Sequence, residues 1–266
     1  GDNPVLREAI RYAQAKGSLI VAAAGNDATN QPVFPAAYDG VIGVAAVDAV
    51  GDIATFSNFG SHVDIAAPGV GLKTLGANGQ SIPFTGTSAA APIVTASLVS
   101  IIAENPGITN EEALSKLLTF SNDAGLPGHD DEFGAGILNL QRVREAGQPN
   151  IQDLAIADFV SSTLKQDRNG SYYDVTVAVQ NRGTVATQPS RILLETPGSE
   201  GNSQIVQGLN PNETTSLQIR VPITGTHEGI PFAVLRGRLQ QSAPEKDVRP
   251  ENDALEAVFA EPPPAP

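Results

Sequence analysis

Phe84-Thr85-Gly86-Thr87-Ser88-Ala89-Ala90-Ala91-Pro92, continued by an apolar run from Ile93 to Ala103, is the stretch on which the reading of this chain turns. A hydroxyl flanked by glycine and small residues stands where an extended segment becomes a helix. The spacing predicts Ser88 as the residue that caps or opens this helix. It places Pro92 in the first turn, where amides have no intrahelical acceptor to lose. Free amides and the helix dipole there favour negative charge, which suits a serine whose reaction passes through an oxyanion. The same residues also fit a buried helix start with Ser88 as an ordinary N-cap. The flanking sequence has to decide.

Immediately upstream, Lys73 to Phe84 reads as a hairpin turning at Asn78-Gly79, and its second arm delivers the chain to Ser88. Further back, Asn3 is a credible N-cap, Pro4 suits the first helical position, and Leu6, Ala9, Ile10 and Ala13 recur at helical spacing until Gly17. Leu19 to Ala23, Val41 to Val47 and Val63 to Ala66 are short continuous apolar runs, as in strands buried on both faces. A helix followed by such strands predicts an α/β layer with a parallel sheet, in which functional groups gather beyond the strand C-termini. Asn26 lies there, directly after Ala24-Gly25. Downstream, Asn105-Pro106-Gly107 breaks the long helix and Thr109 to Glu112 forms a capping box for another.

Near Gln148-Pro149-Asn150 the hydrophobic period changes from helical to alternating. Leu154–Ala157, Tyr173–Val179, Ile192–Leu194, Leu217–Val221 and Phe232–Leu235 read as short strands, punctuated by Asn169-Gly170, Asn181-Arg182-Gly183 and Asn210-Pro211-Asn212. This pattern predicts an antiparallel β-sandwich. The expected organisation is therefore an α/β domain over 1–148, an all-β accessory domain over 149–260 and a Pro-rich tail over 261–266.

The 266 residues suffice for two modest cores, and no cysteine is present for disulfides or thiolate metal sites. The net charge of −13 is shared by both halves, with 7 basic against 15 acidic residues before position 149 and 9 against 14 after it. An evenly acidic surface disfavours nucleic acid and anionic membranes as partners. No apolar run is read as a membrane span. The chain opens at Gly1-Asp2-Asn3-Pro4 without methionine, as a processed or excised product would.

Taken in order, Ala23-Ala24-Gly25-Asn26, Phe56-Ser57, Ala67-Pro68-Gly69 and Gly86-Thr87-Ser88-Ala89-Ala90-Ala91-Pro92 resemble the subtilisin-like serine proteases, from Asn3 to about Leu140. The fold implied is part of a three-layer subtilisin-like α/β structure. The resemblance makes Ser88 the nucleophile and Asn26 the oxyanion-hole amide, with Thr87 as its support. It makes Ala23, Ala24 and Gly25 a wall of the substrate pocket, and it implies a cis bond before Pro35. Peptide or protein is the implied substrate, and no cofactor is needed for the chemistry. Residues 151–260 resemble bacterial cell-adhesion-related (CARDB-type) immunoglobulin-like modules, through Asp153-Leu154, Val179 to Thr184 and Glu251-Asn252-Asp253-Ala254. Such modules are appended to exported enzymes, so an extracellular or cell-surface location in a bacterium is expected.

The sequence departs from the family pattern in one important respect. The family order is Asp, His, Ser, and neither of the first two motifs precedes Ser88 here. His62, His129 and His227 are read as surface histidines rather than bases. The chain is accordingly expected to be inert alone and to need the N-terminal half of the peptidase domain, or another chain, over its sheet edge. The rival reading is a non-catalytic adhesion or scaffold protein with a degenerate protease fold, which would have no need of Ser88 or Asn26. Asp130-Asp131-Glu132, or the backbone around Ala36, Asp39 and Ile42, could hold a structural calcium.

Overall fold

The computed structural model describes residues 1–199, 201–241 and 247–260; the Pro-rich tail falls outside them. Contacts divide the chain into a first unit, Gly1–Asp123 with Gly128–Arg144, and a second, Ala124–Pro127 with Glu145–Pro266.

In the first unit, helix α1 (Pro4–Ala15) starts as predicted, with the Asn3 side chain accepting from the amides of Val5 and Leu6. Strands β1 (Ile20–Ala23), β2 (Val41–Val47) and β3 (Ile65–Pro68) form a parallel sheet with β2 in the centre, buried along its whole length. The third strand begins two residues later than predicted, because Val63 N–H closes a turn onto the Gly60 carbonyl. Strands β4 (Leu72–Leu75) and β5 (Ser81–Phe84) make the predicted hairpin. Helix α3 (Asn110–Thr119) carries the Thr109–Glu112 capping box, and α4 is Leu140–Glu145. The Phe34–Pro35 bond is cis.

Helix α2 (Thr87–Glu104) corrects two expectations. Its N-cap is Gly86, with φ +145°, so Ser88 is the second helical residue and makes no cap. Pro92 is the sixth residue, beyond the first turn, and its missing donor leaves the Ser88 carbonyl without an i+4 partner. The helix is also long and apolar enough to cross a membrane by length and composition, contrary to the reading of the sequence. In this fold one face of it meets the sheet instead. Val94, Leu98 and Ile101 pack with Val44, Ala46, Ile65 and Leu117 in one buried cluster, each large aliphatic contributing about 1.5–3 kcal/mol by leaving water.

The strands of the second unit all pair antiparallel, with one isolated parallel bridge between Gln152 and Asp247. One sheet orders β11 (Thr214–Pro222), β8 (Gly170–Asn181) and β6 (Leu154–Ser161), with β7 (Lys165–Asp167) also on β8. The other orders β10 (Asn202–Val206), β9 (Ser190–Glu195), β13 (Ile230–Gln240) and β12 (Gly225–His227), with β14 (Ala254–Ala260) also on β13. The predicted alternation holds: Tyr173, Val175, Val177 and Val179 all point into one core, together with Ile192, Leu194, Leu235 and Phe259 from the other sheet.

A buried polar cluster ties the two ends of this unit together. Asp153, just before β6, accepts from Asn252 Nδ2 at 2.8 Å and from the Arg249 guanidinium. Gln241 Nε2 donates to both Asp247 and Asp253 at 2.6 Å. Burial pushes the Asp253 carboxyl up to about 6, against the lowering bond from Gln241 and with help from the charges of Asp247, Asp153 and Glu251. The folded state therefore holds this proton more tightly than the unfolded chain, whose carboxyl has the ordinary value of 3.8. Stability is present below pH 4 and lost as pH rises to about 6. The thermal midpoint of the second unit is expected to fall over that window, and Asp253→Asn should flatten the fall; calorimetry at stepped pH measures both.

Candidate active site

Asn26 and Ser88 lie far apart in sequence and are joined through Thr87. Asn26 follows the C-terminal end of β1, on a turn running from Ala24 to Thr29. Gly86 N–H donates to the Gly69 carbonyl at 2.8 Å, which fixes the start of α2 just beyond β3. Thr87 is fully buried, and both its amide (2.8 Å) and its hydroxyl (3.0 Å) donate to Asn26 Oδ1. The same hydroxyl accepts from Gly25 N–H at 3.2 Å. The Asn26 oxygen is thus occupied, while among the described residues its Nδ2 has no hydrogen-bond partner.

Nδ2 faces a small space at Gly86. A Cβ built there would stand 3.5 Å from Asn26 Nδ2, 3.6 Å from Asn26 Oδ1 and 3.7 Å from Ser88 N, so the glycine leaves the Asn26 amide and the Ser88 N–H beside one space. The Asn26 oxygen there is already taken by Thr87, which leaves Nδ2 and the Ser88 N–H as the donors beside an exposed hydroxyl. Ser88 and Asn26 are exposed, and among the described residues the Ser88 hydroxyl has no hydrogen-bond partner.

The predicted pocket wall is mixed. Ala23 and Gly25 are partly exposed, whereas Ala24 is wholly buried and its carbonyl is taken by Asn58 Nδ2 at 3.1 Å. Of the histidines, His129 and His227 are exposed as expected. His62 is not: it is 8% exposed, packed by its ring against Gly60, and its Nε2 is buried without a hydrogen bond among the described residues. It lies beside a strand in the sequence, and the turn closed by Val63 N–H on the Gly60 carbonyl sets it next to the fully buried Val63. At the predicted cation positions the polar groups bond within the chain. Asp130 Oδ1 accepts from the amides of Glu132 and Phe133, the Asp39 carbonyl accepts from Gln14 Nε2 at 3.1 Å, and no three carboxylates or imidazoles converge among the described residues.

Sequence reasoning passed over Asn58. Its side chain is fully buried and holds the turn that carries Asn26. The only signal was its place after Phe56-Ser57, which says nothing about a partner thirty residues away.

The peptidase S8 "Subtilase family" pattern matches residues 1–136. The Minor extracellular protease Epr of Bacillus subtilis is 33% identical over 53% of this chain and 22% of its own length. Alkaline elastase YaB from a Bacillus species is 36% identical over 51% of this chain and 35% of its own. Subtilisin BL of Lederbergia lenta is 31% identical over 51% of this chain and 49% of its own. The chain thus spans about half, or less, of the curated relatives it matches. A prenylagaramide maturation protease, PagA, superposes with a TM-score of 0.49 at 28% identity, over 55% of this chain and 56% of that one.

Proposed function

Because this chain belongs to the subtilase family, we propose that it carries the nucleophile and oxyanion-hole half of a subtilisin-type serine endopeptidase site. Ser88 Oγ attacks the scissile carbonyl and passes its proton to an imidazole. The carbonyl oxygen, now negative, moves between Asn26 Nδ2 and Ser88 N–H; collapse expels the amine, which takes the proton, and leaves an acyl-enzyme on Ser88 for water to hydrolyse. The observation that carries this reading is the pair of donors flanking the space beside Gly86. A degenerate scaffold has no need to keep an exposed Ser88 or to orient Asn26 through a buried Thr87.

The imidazole and its Asp come from a complementary segment that covers β1 and the free side of α2. Two features support that partner. β1 is an edge of the three-stranded sheet with Ile20, Val21 and Ala23 only partly buried. Ser88, Pro92, Thr95, Ala96, Val99 and Ala103 form an exposed, mainly apolar stripe down α2 at helical spacing. The partner is the N-terminal half of the peptidase domain, and the substrate is a peptide or protein met outside the cell. The second unit is a CARDB-type, immunoglobulin-like accessory module. Limited proteolysis near Gly147-Gln148-Pro149 should release it as a β-rich fragment that melts cooperatively; a fragment with the circular dichroism of coil would refute the module. The peptidase reading itself is tested by fluorophosphonate labelling of Ser88 with and without the complementary half.

A further inference from the structure

The turn that carries Asn26 is not self-supporting. Gly25 has φ +114° and Ala28 φ +50°; an alanine in the left-handed region costs about 1–2 kcal/mol. Groups outside the turn hold it: the Phe56 carbonyl accepts from Ala28 N–H at 2.9 Å, Thr87 Oγ1 accepts from Gly25 N–H, and the side chain with the most bonds to the turn is Asn58. Its Oδ1 accepts from Asp27 N–H at 2.8 Å and from Thr29 N–H at 3.3 Å, its Nδ2 donates to the Ala24 carbonyl, and its own N–H donates to the Gly25 carbonyl at 3.0 Å. These bonds bracket Asn26 on both sides. Asn58 is in turn anchored to the centre of the sheet, since Ser57 Oγ accepts from Ala46 N–H on β2 at 3.1 Å and donates to the Asn58 carbonyl at 3.2 Å. Contact at Gly25 is so close that an added Cβ would lie 2.2 Å from Asn58 Nδ2.

We propose that Asn58 is a positioning residue: it fixes the backbone under Asn26 so that Thr87 can hold the side-chain oxygen and leave Nδ2 aimed at the space beside Gly86. Asn58 touches neither Ser88 nor that space, and it acts through Asn26. The proposal rests on the oxyanion reading of Asn26. Its physical content is a coupling between two buried polar side chains, Asn58 and Thr87, that share no bond with each other.

The coupling is measurable on residues 1–266 alone. In Asn58→Ser the Thr87 amide, whose acceptor is Asn26 Oδ1, should exchange at least about tenfold faster, although Asn58 does not contact it. Asn58→Asp, nearly isosteric, keeps an acceptor for Asp27 and Thr29 but sets a second oxygen against the Ala24 carbonyl. It should speed the same amide to a smaller extent, and it serves if the serine variant fails to fold. An unchanged Thr87 amide in a folded variant overturns the proposal. With the complementary half supplied, Asn58→Ser should lower kcat about tenfold or more at nearly constant KM, and should cost little further in an Asn26→Ala background. Full additivity of the two losses would show that Asn58 does not act through Asn26. If the unaltered pair shows no turnover, the peptidase reading fails while the exchange measurement still decides the positioning role.

Discussion

Addition of the Asp- and His-bearing half of the peptidase domain to residues 1–266 is expected to accelerate fluorophosphonate labelling of Ser88 by several orders of magnitude. In a subtilisin, loss of the base alone costs on the order of 10⁶ in turnover, because an alcohol near neutral pH is a poor nucleophile until its proton has somewhere to go. Here the Ser88 hydroxyl is exposed and has no partner among the described residues. The one histidine before it in the sequence, His62, is buried against Gly60. Mass spectrometry of the labelled peptide, combined with light scattering, gives the answer. The chain alone should label negligibly and should either associate or show poor solubility through its uncovered β1 edge and α2 stripe. Rapid stoichiometric labelling of a monomeric chain would show that a base lies within these 266 residues and would end the split-site account.

The second large effect is expected from Asn26→Ala in the complemented enzyme. The side-chain amide meets an oxygen that becomes charged only in the transition state, so its loss should reduce kcat by about 10²–10³ and leave KM nearly unchanged. Thr87 would then have lost the acceptor for both its amide and its hydroxyl. A loss confined to KM would mean that Asn26 binds substrate and does not stabilise the oxyanion.

What the sequence made legible was local. Asn3-Pro4 and Thr109–Glu112 each complete a helix start within four residues, and both stand as read. Tyr173 to Val179 alternate so regularly that one face could be assigned without a partner strand. Strand β14, Ala254–Ala260, was not legible: its Ala, Leu and Glu are helix formers, and only pairing with β13 makes it a strand. β10 was missed because Asn202, Ser203 and Gln204 give no apolar alternation, and pairing with β9 makes it a strand. At the site, Ser88, Asn26 and Thr87 were nameable from a motif. Asn58 was not, because its partners at 24–29 are set by the tertiary fold. The start of α2 was misplaced because a glycine at φ +145° ends the extended arm earlier than a serine cap would.

The polar knot at Asp153, Asn252 and Arg249 has a mechanical meaning. It fastens the point where the chain enters the second unit to the point where β14 begins. β14 then runs on for seven residues, Ala254–Ala260. At about 3.4 Å per residue the strand reaches roughly 24 Å from the knot. Tension applied through the backbone would load the β13–β14 ladder in shear along its length, so that its seven residue pairs resist together rather than opening one by one. A unit strung this way transmits force as a short, stiff link.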